Sequence, residues 1–276
     1  MNSPSAAEGI RPGFWGGGEG LHYPDGDIGG GGGAGRADGR AELYYGRGAG
    51  VGREARESLL SWLDPGEEER RNRRLFPKDR LNYGLSRALV RYALSLWWRG
   101  RHGGGDWEVK PAAWRFAADA RGRPEAILPA ELAARGAAPP RFSLSHTAAA
   151  TAVAVAGTGK VGVDLESRRR QVDGLSLARR FLAGCEFRDV AGRSRPGERR
   201  DRFLLYWTLK EAYLKALGLG LAGKLSSFAV RPGPGGAVLL YDRERPAGDW
   251  RFFTYRLPGG IAAALALEGA GPPPSG

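Results

Sequence analysis

The sequence contains one cysteine and three histidines among 276 residues, and apolar runs such as IAAALAL (261–267) are only as long as a strand. A single cysteine, Cys185, excludes an intrachain disulfide and is typical of a reducing compartment. Scattered histidines without cysteine partners exclude a zinc cluster. The N-terminus lacks the apolar core of a signal peptide, and no run reaches transmembrane length. The sequence therefore predicts a cytoplasmic protein with no membrane partner.

Acidic residues are fewer than basic ones: the chain has 30 Asp and Glu and 42 Lys and Arg, which gives a formal net charge of +12. A basic balance favours anionic partners such as nucleic acid, phosphorylated small molecules or acidic proteins. The arginines are dispersed and no RNA-binding motif is present, so nucleic acid is not the predicted partner. A non-catalytic nucleic-acid binder stays the less favoured alternative.

Both ends of the chain are rich in glycine and poor in apolar residues. Such segments cannot bury enough surface to offset the entropy of ordering, so residues 1–40 and 269–276 are predicted to be disordered tails. The runs GGGEG and GGGGGAG lack the GK[ST] ending of a phosphate-binding loop, which excludes that motif.

Helical and strand patterns alternate between the tails. The clearest helix is PKDRLNYGLSRALVRYALSLWW (77–98), and a second long helix is RDRFLLYWTLKEAYLKALG (200–218). Several strand patterns accompany each long helix. We therefore predict an α+β fold, a pseudo-dimer of two similar α/β halves at 41–141 and 142–268, with the chemistry in the C-terminal half and the site between the halves.

The stretch VGVDLE (161–166) is an apolar strand that ends in two acids. Because side chains on a strand alternate with a period of two, Asp164 and Glu166 project from the same face. Two adjacent carboxylates repel each other unless a positive group lies close to both. The pattern therefore indicates a site that holds a cation.

Glu211 and Lys215 lie four residues apart on one face of the second long helix. The plain interpretation is an exposed ion pair. The helix is apolar over much of its circumference, however, which predicts burial of Glu211, and a buried carboxylate needs a partner or a metal. With Asp164 and Glu166 it forms a three-carboxylate set, the oxygen ligands that Mg²⁺ prefers. The residues thus predict a Mg²⁺-dependent enzyme acting on a phosphate or pyrophosphate.

These motifs resemble those of the Sfp-type 4′-phosphopantetheinyl transferases, which carry G-[IV]-D-x-E followed by W-x-x-K-E-x-x-x-K. GRP (122–124) and FSLSHT (142–147) resemble two further family elements, and RRLFPKDRLNYGLSRALVR (73–91) resembles the first helix. The resemblance spans roughly residues 42–268 in the family's order. It departs from the family in the glycine-rich tail, the long segment before Phe142 and the RHGGGDW loop.

The resemblance implies transfer of 4′-phosphopantetheine from coenzyme A to a serine of an acidic apo acyl, peptidyl or aryl carrier protein, with release of 3′,5′-ADP, by a monomer with the fold of this family. Another Mg²⁺-dependent phosphoryl-transfer enzyme or phosphohydrolase is the alternative. The carrier protein and the pathway are not identified by the sequence.

The resemblance also implies a role for each matched residue. Mg²⁺ is expected on Asp164, Glu166 and Glu211. Either Glu211 or Glu166 is expected to act as general base, directly or through a water, and Lys215 to stabilise or protonate the departing phosphate. Coenzyme contacts are expected from a basic and polar set: Arg70, Arg73, Arg74, Arg123, Ser145, His146, Lys210 and Lys215. A structural role for Lys210, and a solvated surface for the arginines at 70–74, remain open.

Overall fold

The computed structural model describes residues 41–48, 51–220, 224–233, 236–243 and 250–269. The predicted tail at 1–40 and all but Gly269 of the predicted C-terminal tail lie outside the described residues. The helices are α1 (Arg53–Leu60), α2 (Pro65–Asn72), α3 (Pro77–His102), α4 (Ala130–Ala134), α5 (Gly174–Phe181), α6 (Gly184–Ala191) and α7 (Pro196–Leu217). The strands are β1 (Ala41–Gly46), β2 (Arg115–Ala118), β3 (Pro124–Ile127), β4 (Arg141–His146), β5 (Thr151–Ala156), β6 (Val161–Ser167), β7 (Phe228–Gly233), β8 (Gly236–Asp242), β9 (Trp250–Leu257) and β10 (Ile261–Glu268).

The two long helices, α3 and α7, begin and end with similar local signals. Each has proline at its first position, where the missing N–H is not needed and the fixed φ favours the helix. Each is followed by glycine; after α7, Gly218 adopts a left-handed φ of 67°, which glycine reaches without steric cost. The local sequence therefore sets both helix limits.

One arrangement of strands and helices occurs twice along the chain. A first strand leads into helices and then into an antiparallel hairpin, and the last strand of the hairpin pairs with the first strand. This gives the orders β1-β5-β4 and β6-β10-β9, the second sheet being extended by β8 and β7. One core contains α3 with strands β4 and β5, and another contains α7 with strands β7, β9 and β10. The predicted α+β pseudo-dimer is confirmed.

The repeat extends to a buried ion pair in each half. Arg91 of α3 binds Glu67 of α2 at 2.6 Å, and Lys210 of α7 binds Glu186 of α6 at 2.7 Å. Both pairs are separated by 24 residues, and each glutamate also accepts a backbone hydrogen bond at the start of its own helix. The pairs therefore occupy equivalent positions in the two halves.

Strand pairing divides the chain later than the predicted limit between residues 141 and 142. Strands β4 and β5 pair with each other and with β1, so they belong to the first sheet, and the second sheet begins with β6 after the turn at 157–160. The division of the chain into separate domains at 41–141 and 142–268 stays a prediction. The two sheets pack through a core rich in alanine and valine, including Ala152, Ala154 and Val163.

Candidate active site

Strand β6 and helix α7 approach each other most closely at Gly162. A Cβ atom at this position would lie 2.0 Å from the carbonyl oxygen of Ala212 and 2.5 Å from the amide nitrogen of Ala216. Both distances are far below van der Waals contact, so the approach requires glycine. The contact brings the acidic end of β6 against the turn of α7 that carries Glu211 and Lys215.

Asp164 is buried and forms a compact cluster with Lys215 and Ser145. The Lys215 ammonium donates to Asp164 Oδ1 at 2.7 Å and to Ser145 Oγ at 2.8 Å. Ser145 in turn donates to the same carboxylate oxygen at 3.0 Å. The predicted proximity of β6 and the second long helix is thus seen at atomic distance, and Lys215 supplies the positive charge beside the acidic pair.

The other two predicted acids lie within electrostatic reach of Asp164. Desolvation raises the pKa of Glu166 and the charge of Asp164 adds to this, while Arg170, which donates to Glu166 at 2.6 Å, opposes the rise. Burial also raises the pKa of Glu211; the charges of Asp164 and Glu166 raise it further and Lys215 lowers it. The charge of Asp164 therefore disfavours the ionised forms of both Glu166 and Glu211.

The three carboxylates have the donor chemistry of the predicted Mg²⁺ site. Carboxylate oxygens are ligands that Mg²⁺ prefers, and the mutual repulsion of Asp164, Glu166 and Glu211 is what a divalent cation relieves. Within the described part of the chain, however, no three His, Cys, Asp or Glu side chains converge closely enough to hold a metal. The chemistry of the residues fits Mg²⁺, and the metal site stays a prediction.

His146 lies at the end of β4, on the first-half side of the cluster. Desolvation lowers its pKa, although part of the ring remains exposed, and the positive charges of Lys215 and Arg74 lower it further. The charges of Arg74 and Lys215 therefore both act on this histidine. Arg70 instead donates to Tyr83 at 3.1 Å, and Arg73 pairs with Glu69 at 2.5 Å on the surface. Of the three predicted arginines, Arg74 is the one whose charge acts on His146, and its guanidinium lies over the ring of Tyr83.

A pocket of about 340 Å³ adjoins Lys215 and is lined by Arg121, Arg123, the 142–144 segment of β4 and Gly218. Arg121 and Arg123 donate to the carbonyls of Leu217 and Ala216 at 3.1 and 3.4 Å, which anchors both side chains at the C-terminal end of α7. Arg123 was predicted from its motif. Arg121 was missed, although it precedes that motif by one residue and is equally basic.

Lys210 corrects the sequence-based assignment of a coenzyme contact. Its side chain is fully buried, and its ammonium donates to both carboxylate oxygens of Glu186, at 2.8 and 2.7 Å, and to the Phe228 carbonyl at 2.5 Å. One residue along a helix turns the side chain by about 100°. Lys210 therefore points into the core, away from the face that carries Glu211 and Lys215, and has a structural role.

The fold and the site together define a class of protein. Perturbed carboxyl groups, a lysine and a basic pocket meet where two α+β halves join. Clusters of this kind are typical of enzyme active sites, and the basic lining favours an anionic substrate.

Comparison with known proteins specifies the class further. The family model of the 4′-phosphopantetheinyl transferase superfamily matches residues 160–266. The 4′-phosphopantetheinyl transferase HetI of Nostoc sp. is 33% identical over 216 residues, covering 78% of this chain and 82% of that protein. The 4′-phosphopantetheinyl transferase Sfp of Bacillus subtilis is 25% identical over 190 residues, covering 69% and 75% of the two chains. The crystal structure of Thermotoga maritima holo-[acyl-carrier-protein] synthase matches with a TM-score of 0.32 and 29% identity over 40% of this chain and 64% of that chain.

The chain belongs to the 4′-phosphopantetheinyl transferase family, and it is an enzyme of that class.

Proposed function

We propose that the protein transfers 4′-phosphopantetheine from coenzyme A to a serine of an apo carrier protein, with Mg²⁺ as cofactor and 3′,5′-ADP as the second product. The observation that carries this proposal is the cluster of Asp164, Glu166 and Glu211 with Lys215, beside a pocket lined by arginines. Both sides of the site come from one chain, which supports a monomer. Among the helices described, none is long and apolar enough to span a membrane.

Coenzyme A is proposed to lie along the basic side of the site. Arg121 and Arg123 line the pocket next to Lys215, and the charges of Lys215 and Arg74 both act on His146 of the first half. Guanidinium groups bind phosphate oxygens in a bidentate manner. This arrangement supports the proposal that these side chains contact the nucleotide phosphates and that the pyrophosphate lies towards Lys215.

In the proposed reaction, the carrier serine oxygen attacks the β-phosphorus of coenzyme A, and the bond from that phosphorus to the bridging oxygen breaks. The serine proton passes to Glu211 or Glu166; burial raises the pKa of both, which makes them better bases. Lys215 stabilises the negative charge on the departing 3′,5′-ADP. Mg²⁺ bound by Asp164, Glu166 and Glu211 would supply charge neutralisation at the pyrophosphate.

Asp164→Asn is expected to lower kcat by about 1,000-fold or more, because it removes a proposed metal ligand and the partner of Lys215 while keeping the shape of the side chain. The measurement is the mass increase of an apo carrier protein incubated with coenzyme A and Mg²⁺. Glu57→Gln, at an exposed surface pair, is the control and should retain full activity. An Asp164→Asn variant with wild-type turnover at limiting Mg²⁺ would contradict the site. Release of 3′,5′-ADP without any carrier modification would instead favour a phosphohydrolase.

Raising the salt concentration is expected to raise the KM for the carrier protein more than it lowers kcat. The segment that follows β6 exposes Arg168, Arg169 and Arg170 beside Glu166, and the whole chain carries a formal charge of +12. Such a surface favours an acidic carrier through steering, which is screened over about 8 Å at physiological ionic strength. The measurement is carrier KM against salt with coenzyme A saturating. A flat carrier KM would contradict the proposed acidic partner.

A further inference from the structure

The turn between strands β2 and β3 is organised by one side chain, that of Asp119. Its Oδ1 atom accepts hydrogen bonds from the backbone amides of Arg121 and Arg123, at 2.9 and 2.8 Å. The main chain closes the same turn, because the Asp119 amide donates to the Arg123 carbonyl at 2.8 Å. Gly122 supplies the positive φ of 79° that the turn needs. Asp119 therefore fixes the backbone from which both arginine side chains extend.

Both arginines reach from this turn to the C-terminal end of α7 in the other half. Arg121 donates to the Leu217 carbonyl at 3.1 Å, and Arg123 donates to the Ala216 carbonyl at 3.4 Å. Carbonyls in the last turn of a helix lack partners within the helix and carry partial negative charge, so they attract cations. The turn and the helix end together hold two guanidinium groups at the wall of the pocket that adjoins Lys215.

Asp119 also brings a negative charge to this basic wall. The hydrogen bond from the Arg123 amide, more than any other contact, holds the pKa of Asp119 below its ordinary value, and its Oδ2 atom lies 3.5 Å from Nε of Arg123. A carboxylate at this distance opposes the binding of an anion to the same guanidinium. The charge of Asp119 therefore works against phosphate binding, whereas its hydrogen bonds to the turn favour phosphate binding by keeping the arginines in place.

We propose that Asp119 is a positioning residue for coenzyme A. It shapes the β2–β3 turn so that Arg121 and Arg123 lie at the pocket wall before the coenzyme phosphates arrive. Long side chains that a ligand has to immobilise reduce its affinity, so arginines that are held in advance bind it more tightly. The inference rests on the proposed function for the identity of the ligand, whereas the turn and its contacts with α7 do not depend on that function.

Isothermal titration calorimetry with coenzyme A and Mg²⁺, without carrier protein, provides the first test. Asp119→Ala is expected to raise the Kd of coenzyme A by about 10-fold, because it removes two hydrogen bonds that order the turn. Asp119→Asn keeps an oxygen that accepts from both amides and removes the opposing charge, so its Kd should stay within about 3-fold of the wild-type value. The contrast between the two variants separates the effect of the turn from the effect of the charge.

Asp173→Ala is the matched control. Asp173 Oδ1 accepts from the Leu175 and Ser176 amides at 3.1 and 3.2 Å, which is the same kind of contact at the start of α5. Because this contact lies outside the pocket, the Kd of coenzyme A should stay within about 2-fold of the wild-type value. In assays with saturating carrier protein, Asp119→Ala should raise the KM for coenzyme A and leave kcat within about 2-fold, since the reacting groups are unchanged.

Two further measurements show through which groups Asp119 acts. In a background that carries Arg121→Ala and Arg123→Ala, adding Asp119→Ala should change the Kd of coenzyme A by less than about 2-fold, because the residue acts through those arginines. Amide hydrogen exchange without coenzyme tests the turn itself. The Arg121 and Arg123 amides should exchange about 10-fold faster in Asp119→Ala than in the wild-type protein.

The possible failures can be told apart. Wild-type affinity of Asp119→Ala for coenzyme A would overturn the inference, and so would equal losses in Asp119→Ala and Asp119→Asn, which would assign the effect to charge. A loss that persists without the two arginines would show that Asp119 acts by another route. Failure of the wild-type protein to bind coenzyme A, or to modify any carrier, would reject the proposed function instead, and the two amide exchange rates would still decide whether Asp119 holds the turn.

Discussion

Gly162→Ala is expected to destabilise the protein by roughly 3 kcal/mol or more, because overpacking at a rigid backbone contact cannot be relieved by a side-chain rotation. The new methyl group would lie 2.0 Å from the Ala212 carbonyl oxygen, so helix α7 has to move away from β6. Such a shift also displaces Glu211 and Lys215 from Asp164, and a displacement of about 1 Å can cost about 100-fold in rate. Thermal unfolding and carrier modification measure the two effects.

Gly100→Ala is the matched control for this substitution. Gly100 lies within helix α3, and a Cβ atom there would meet nothing within 4 Å. Replacing a helical glycine with alanine should therefore stabilise the protein by about 0.5–1 kcal/mol and leave activity unchanged. A Gly162→Ala variant with wild-type stability and activity would show that β6 and α7 do not make this contact.

Lys210→Met is expected to lower the free energy of unfolding by about 3–5 kcal/mol, because it leaves the buried Glu186 carboxylate without its counter-ion. Glu186 is 1% exposed and also accepts from the Val230 amide at 2.8 Å. Chemical denaturation measures the loss. Because Lys210 points into the core, the KM for coenzyme A of the folded variant should stay within about 2-fold of the wild-type value.

Two further variants separate charge from packing at this position. Adding Glu186→Gln to Lys210→Met should recover part of the lost stability, since the uncompensated charge is removed while an acceptor for the Val230 amide remains. Arg53→Ala breaks an ion pair whose side chains are 93% and 65% exposed, so the melting temperature should change by less than about 2 °C. A stable Lys210→Met variant with a 10-fold higher KM for coenzyme A would favour a coenzyme contact.

The long helices show how much of the fold could be predicted from the sequence. Pro77 marked the start of α3, because proline suits the first position of a helix. The helix runs past the predicted end at Trp98 to His102, and α7 begins at Pro196, before the predicted Arg200. The short helix α4 was not predicted, because its five residues carry too little periodicity. The segment DWEVK (106–110) alternates as a strand does, but its first two residues belong to a 3-10 turn at Gly105–Trp107, since alternation over so few residues does not distinguish the two.

The candidate site, like the fold, could be predicted from the sequence only in part. A period of two placed Asp164 and Glu166 on one face of a strand, and a spacing of four placed Glu211 and Lys215 on one face of a helix. Helical spacing also places Lys210 on a different face from Glu211 and Lys215, but it does not show that this face is buried. Burial depends on which helix face meets the core, and the Glu186 partner lies 24 residues away.

The sequence by itself determined the α+β class, the start of α3, the end of α7 and the identity of the acidic and basic residues at the site, because each follows from local periodicity and residue chemistry. Only the tertiary structure decided which strands share a sheet, that Lys210 forms an ion pair in the core, and that Ser145 hydrogen-bonds to Asp164, Lys215 and the Leu165 amide. Pairing between distant segments depends on packing of the whole chain. No local pattern encodes which of several similar edges or cations a given group will meet.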